Sequence, residues 1–247
     1  MIPADTLVII AGATFLAAVL RGITGFGFAM AAVPMIGLFL PPERAIPIAI
    51  LLQCLVGFRD CVVMRHHVHR GSVGMLAAGA LAGTPFGLAV LDRADPATMR
   101  ILIALIVSGA LVFLVRKPAL PVMGGARVAL PAGFLSGLFS GIAAMPGPPA
   151  VAYYLSAPTP PATARASLMV FFFITSLFAL PGLIWQGRVD REALVETAVA
   201  LPCLLAGTSL GAWIFRRTSD RGYRAAALGM LGAMAAATGV KGVLELL

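Results

Sequence analysis

Long apolar runs at 7–40, 46–63, 72–91, 99–115, 128–156, 166–186, 193–215 and 222–246 alternate with short polar loops along the chain. Within each run the apolar residues are continuous. The strands of an outer-membrane barrel alternate apolar and polar positions, so that architecture is excluded. Six of the runs are near the ~20 residues that cross a bilayer and predict membrane-spanning helices. The first and fifth are longer. At about 1.5 Å per residue, the 34 residues of the first would form a helix of ~51 Å, against a hydrocarbon core of ~30 Å. Both long runs are interrupted near the middle, the first by RGITGFG and the fifth by SGIAAMPGPP. Glycine and proline break helices there, so each long run predicts a broken, hairpin or re-entrant segment.

The halves of the chain resemble one another. At an offset of 115, Gly22 meets Gly137, Met30 meets Met145 and Pro34 meets Pro149; farther on, Arg44-Ala45 meets Arg165-Ala166. At an offset of 124, LAGTPFG at 81–87 meets LAGTSLG at 205–211, and Arg93 and Arg100 meet Arg217 and Arg224. Matches in the same order indicate an internal duplication. The first repeat is 1–121, with broken segment 7–40 and spans 46–63, 72–91 and 99–115. The second is 122–247, with broken segment 128–156 and spans 166–186, 193–215 and 222–246.

Basic residues orient the repeats, because Lys and Arg favour the cytoplasmic face. If every run crosses once, eight fall on each side and no orientation results. If the two long runs enter and leave on the same side, eleven fall in the loops at 59–71, 116–127, 157–165 and 216–224, and five in the opposite loops. That bias predicts inverted halves, with both termini in the periplasm. The expected fold class is therefore an all-α polytopic membrane protein of two inverted repeats, each a broken segment plus three spans, in a bacterial inner membrane.

Composition agrees: 60% of the 247 residues are hydrophobic and 11% charged, against roughly 25% charged in soluble domains. The net charge of +8 belongs to loops beside apolar runs, with no basic stripe interleaved with aromatics, so nucleic acid is not an expected partner. Cys54, Cys61 and Cys203 have no ligand spacing and read as buried thiols. HHVH at 66–69 reads as a solvated loop. No metal or cofactor is expected. MIPADT lacks a basic n-region, so no cleaved signal peptide is expected.

Two helix breaks at matching positions of inverted halves point to a shared midplane substrate site. The second half-helix of each broken segment starts near Phe28 and near Pro148, and its free N–H groups and positive dipole end would face the break. With Arg21 they make an electropositive place for an anion. The candidate substrate-binding residues are Arg21, Gly22, Thr24, Gly25 and Gly27 at the first break, and Ser140, Gly141, Met145, Pro146 and Gly147 at the second. Gln53, Tyr153, Arg165 and Ser167 complete the set. Thr24 and Ser140 would add hydroxyl donors. Arg21 reads either as an anion ligand or as a side chain snorkelling to the interface. Gln53 reads as a cavity residue or an interhelical hydrogen bond, Tyr153 and Tyr154 as pathway residues or an interfacial belt, and Arg165 as anion capture or loop orientation. Gly22, Gly25 and Gly27 are expected to break the helix; Gly83, Gly87, Gly207 and Gly211 are expected to let helices approach closely.

RGITGFGFAMAAVP in the first half, and SGLFSGIAAMPGPPAVAYYLS followed by ARASLMVFFF in the second, resemble the sulfite exporter TauE/SafE family over nearly the whole chain. The glycine-rich signature of many members is altered here to GIAAMPGPP. The resemblance implies a membrane exporter of small anions such as sulfite, sulfonates or sulfoacetate, with inverted halves and broken helices. Alternating access around the breaks is the expected mechanism. The bilayer and a small anionic substrate are the expected partners, and a homo-oligomer is admitted. An inside-negative potential favours outward movement of an anion by about 2.3 kcal/mol per charge per 100 mV, so export needs no coupling ion. Asp and Glu are nearly absent from the run centres, with Asp60 and Glu196 near run ends. An anion channel is the competing reading. A phosphatase-type membrane enzyme would need clustered carboxylates, and no Asp or Glu lies between Asp5 and Glu43 or between Asp95 and Asp190.

Overall fold

The computed structural model describes residues 2–24, 27–116, 125–157, 159–215, 232 and 235–245. Among them every regular element is a helix: α1 (Ala4–Thr24), α2 (Phe28–Gly37), α3 (Pro42–Met64), α4 (Arg70–Arg93), α5 (Pro96–Arg116), α6 (Ala126–Ala143), α7 (Gly147–Ser156), α8 (Pro161–Trp185), α9 (Arg191–Phe215) and α10 over 235–245. Seven are long and apolar enough to cross a membrane: α1, α3, α4, α5, α6, α8 and α9. The chain is thus an all-helical, multi-pass membrane protein. Gly25, the loop at 117–124 and most of 216–234 lie outside the described residues.

Helix starts carry local signals. Asp95 accepts from the Thr98 N–H and hydroxyl, both at 2.8 Å, and opens α5. Asp190 accepts from the Ala193 N–H at 2.7 Å and opens α9. Prolines stand inside α2, α3, α4, α6, α8 and α9, which membrane helices tolerate where neighbours cover the freed carbonyl.

The chain forms two compact units, one of residues 1–52, 94–116 and 187–247 and the other of 53–93 and 117–186. In the first unit α1 runs parallel to α9. A Cβ added at Gly207 would fall 2.5 Å from the Phe15 carbonyl oxygen, one at Gly211 would strike the Val19 carbonyl, and one at Gly22 would strike Thr208 and lie 2.9 Å from the Ala212 nitrogen. Only glycine permits backbones this close. The chain then returns. Arg44, in the first turn of α3, pairs with Glu192 at 2.8 Å and with Glu196, at the start of α9. The run 7–40 therefore leaves from the same end at which it enters: it is a hairpin. The C-terminal carbonyls of α2 are held by cations. Arg100 Nε donates to Gly37 O at 3.1 Å, its Nη2 to Leu40 O at 3.4 Å, and Lys241 Nζ donates to Leu38 O. Arg100 is buried and also pairs with Glu245.

The second unit is built the same way. α6 runs parallel to α4 along a seam of Gly79, Gly83 and Gly87 against Gly133, Gly137 and Gly141. A Cβ on Gly137 would lie 2.7 Å from Ala80 Cα, and one on Gly141 2.6 Å from Thr84 O. At the starting end of α4, Ser72 Oγ bonds the Tyr154 hydroxyl near the end of α7 at 2.7 Å, and the His69 N–H donates to Ser167 Oγ in α8 at 2.9 Å. The start of α6, the end of α7 and the start of α8 thus share one end, and run 128–156 is also a hairpin.

The breaks fall within the expected interruptions, between Thr24 and Phe28 and between Ala143 and Gly147; because α1 and α6 begin ahead of the runs they are themselves of spanning length, and only α2 and α7, ten residues each, are short. Gly22 lies inside α1 as a packing glycine, which corrects its expected place in the break. A continuous apolar run does not reveal where its glycines face another backbone.

Candidate functional site

In the first unit the break centres on Gly27, whose φ of 85° is a left-handed conformation that glycine adopts without strain. It lets α1 end and α2 begin within three residues. The Ala31 N–H reaches Gly27 O at 3.3 Å, leaving the amides of Phe28, Ala29 and Met30 without an intrahelical carbonyl. These carry the positive end of the α2 dipole into the break. Arg21 stands in the last turn of α1, half-buried. There its charge has the sign that favours the carbonyl end of α1. No carboxylate lies on this hairpin between Asp5 and Glu43. Gly25 and the Thr24 side chain fall outside the described residues.

In the second unit the break has different chemistry. Ala144 takes φ 59°, a left-handed conformation in a residue with a Cβ, and ends α6; such a residue costs about 1–2 kcal/mol. Its N–H bonds Ser140 O at 2.8 Å and the Met145 N–H bonds Phe139 O at 3.2 Å. The Gln53 side-chain amide donates to the Ala144 carbonyl at 3.2 Å. These bonds hold the strained residue and satisfy the end of α6. Of the first four positions of α7, Pro148 and Pro149 have no N–H, and Pro146 before it has none either. Only Gly147 and Ala150 keep a donor, so this break is poorer in amides than expected. Ser140 is fully buried one turn before it, its hydroxyl without a hydrogen-bond partner among the described residues. Met145 is buried as well.

Tyr153 and Tyr154 are both buried, with ring centroids 5.1 Å apart in an edge-on pair. That burial removes the interfacial-belt reading. The Tyr154 hydroxyl bonds Ser72 of α4, and Ser167 of α8 accepts the N–H of His69, the residue that caps α4. Arg165 is exposed on the first turns of α8. The sequence candidates thus assemble as two groups: Arg21, Gly22 and Gly27 in the first unit; Gln53, Ser140, Gly141, Met145, Pro146, Gly147, Tyr153, Arg165 and Ser167 in the second. Each break lies past the middle of the helix that braces it, with Gly22 against Thr208–Ala212 of α9 and Gly141 against Thr84–Leu88 of α4.

Several contributors were missed in the sequence. His69 is not merely a solvated loop residue: its Nδ1 accepts the Ser72 N–H at 3.1 Å and caps α4. Arg100 read only as a loop charge, and Lys241, a lone cation in an apolar run, was the one signal of a buried tie on α2. Among the described residues no three His, Cys, Asp or Glu side chains are grouped to hold a metal ion.

The sequence model of a family described as sulfite exporter TauE/SafE matches residues 10–238. A curated relative from Cupriavidus necator, described as "Probable sulfite/organosulfonate exporter TauE", is 28% identical over 195 residues, which cover 76% of this chain and 76% of the relative. No solved structure matches the chain significantly.

Proposed function

The chain belongs to the sulfite exporter TauE/SafE family, and we propose that it exports small sulfur-containing or carboxylated anions across a bacterial inner membrane. The observation that carries this reading is the first break. Arg21 stands in the last turn of α1, α2 begins at Phe28 with its positive dipole end toward the break, and no carboxylate lies between Asp5 and Glu43. Backbone amides and a bidentate guanidinium suit a compact head group with several acceptor oxygens, such as a sulfite, sulfonate or carboxylate. The name of the Cupriavidus relative favours sulfur oxyanions among these.

Transport proceeds by alternating access in two inverted halves, with both termini periplasmic. The doubled hairpin and the excess of basic residues in one set of loops support that topology. The membrane potential favours outward movement of a negative charge. A channel would differ in giving large voltage-driven currents in place of slow, saturable flux.

A thermal-shift screen of purified protein against sulfite, sulfoacetate, taurine, sulfate and simple carboxylates tests the reading. A ligand at a hundred times its Kd stabilises by about 2.7 kcal/mol, roughly 5–11 °C for a chain of this size. Arg21→Ala should fold and lose the shift. An undiminished shift in folded Arg21→Ala protein removes Arg21 from the site, and no shift with any anion defeats the substrate class.

A further inference from the structure

Glu196 is a carboxylate inside the protein with half of its bonding unmade. It lies one turn into α9 with a side chain 1% exposed, and its Oε1 accepts from Arg44 Nη2. Its Oε2 is buried without a hydrogen-bond partner among the described residues, and the neighbouring Thr197 hydroxyl is in the same state. Arg44 Nη2 also serves Glu192, whose side chain is half open to water. One guanidinium therefore answers two carboxylates, and the buried one is left incomplete. Around them stand Asp190, which caps α9, Arg191 on the first turn of α9, and Glu43 beside Arg44 on α3. α1, packed along α9, brings Asp5 on its exposed first turn and no further charge before Arg21.

An ionised carboxylate oxygen buried without a donor is costly, and a proton removes that cost. The fold itself does not call for an acid here. At an offset of 124 the corresponding residue of α4 is Ser72, a neutral hydroxyl fully engaged by Tyr154 and His69. The carboxylate is thus an addition to one mouth of a twice-used hairpin. It sits where α3 leaves the first hairpin, so its grip on Arg44 ties that mouth to α9.

We propose that Glu196 is a proton-binding site of the transport cycle. Its Oε2 forms an O–H bond with a proton from the aqueous phase as Arg44 turns away to Glu192, and gives the proton back to water when the Arg44–Glu196 pair reforms. The site rests on the reading of the chain as an anion transporter, and it makes anion flux proton-linked where the sequence showed no carrier.

Two measurements test it on the full-length protein. In liposomes at clamped voltage, a pH gradient of one unit should change sulfoacetate accumulation by about tenfold, as one linked proton requires. Glu196→Gln should abolish that response, and Glu196→Asp should keep it. Separately, pH-difference infrared spectra without any anion should show a carboxylic C=O band that titrates in the native protein and is absent from Glu196→Gln. Should Glu196→Gln not fold, Arg44→Gln should move the titration of that band to higher pH. Flux indifferent to the pH gradient, a band that survives Glu196→Gln, or a titration unmoved by Arg44→Gln overturns the proposal. A titrating band in a protein that carries no sulfoacetate or other screened anion would sink the export reading and uphold the proton site.

Discussion

Gly83 sits at the centre of the seam that braces the second hairpin, and replacing it with alanine puts one methyl group where α6 backbone already lies. The new Cβ would fall against the Phe134 carbonyl, 2.9 Å from its carbon, and 3.0 Å from the Leu138 nitrogen. Unstrained heavy-atom contacts lie at about 3.5–4.0 Å, so α4 and α6 must part by at least ~0.5 Å. A gap of 0.5–1 Å forfeits roughly a quarter to a half of each dispersion contact. These helices share no hydrophobic driving force in lipid and depend on such contacts. Overpacking of this kind costs about 1–3 kcal/mol, or about 2–12 °C in Tm. Gly74 on the same helix is the control. A Cβ there meets nothing within 4 Å, so Gly74→Ala should gain up to ~1 kcal/mol of helix propensity. Thermal unfolding of both variants in one detergent checks the pair. If Gly83→Ala and Gly74→Ala shift Tm in the same direction by similar amounts, the glycine seam is not what holds the hairpin.

Arg100→Ala should destabilise by about 2–4 kcal/mol, because it strands Gly37 O, Leu40 O and Glu245 together; chemical denaturation in detergent reads this, and Arg100→Lys should recover only part, lacking the forked donors. Arg21→Lys should lose most of the anion-induced thermal shift for the same geometric reason, although its charge is kept. The Thr98 N–H and hydroxyl hold the Asp95 carboxyl below the usual carboxylate range. Its cap is thus fully present above its unfolded pKa of ~3.9 and is lost as pH falls through the lower folded value. The Tm difference between native and Asp95→Ala protein should stay constant from about pH 7 to 5 and close only below about pH 4.

Much of the architecture was legible because lipid imposes it. Five of the six expected spans, α3, α4, α5, α8 and α9, and both hairpins follow from run length, loop charge and the two glycine- and proline-rich interruptions. Gly83, Gly87, Gly207 and Gly211 pack as their spacing in unbroken runs suggested. What could not be read was the facing of residues inside those runs. Gly22 and Gly27 are five apart and chemically identical, yet one meets the α9 backbone and the other bends the chain. Nothing in an alanine announces the left-handed Ala144. Glu196 lies near a run end, and only the approach of Arg44, 152 residues away in the chain, decides that it is buried and half-paired. Tyr153 and Tyr154 fit a belt by composition, yet both are buried, and Tyr154 reaches Ser72 of α4.

The structure also corrects the register of the duplication, and the corrected register shows how the two hairpins differ. Gly207 on Phe15 and Gly211 on Val19 repeat Gly83 on Phe134 and Gly87 on Leu138, while Gly22 on Thr208, Gly211 and Ala212 repeats Gly141 on Thr84, Gly87 and Leu88. Every pair obeys offsets of 119 for α1 and α6 and 124 for α4 and α9, one helical turn from the 115 that the sequence alone suggested. The same offset of 119 carries the start of α2 onto that of α7 and the start of α3 onto that of α8. Under it, Arg21 corresponds to Ser140, Gly27 to Pro146, and Ala29 and Met30 to Pro148 and Pro149. At each of these places the first hairpin has a cation, a flexible glycine or an amide donor, where the second has a neutral hydroxyl or a proline. A shared frame thus carries one break preceded by an arginine in the last helical turn and one with no basic residue there. Within its own unit the second break is served by neutral groups, Ser140 one turn before it and the Gln53 amide on the Ala144 carbonyl.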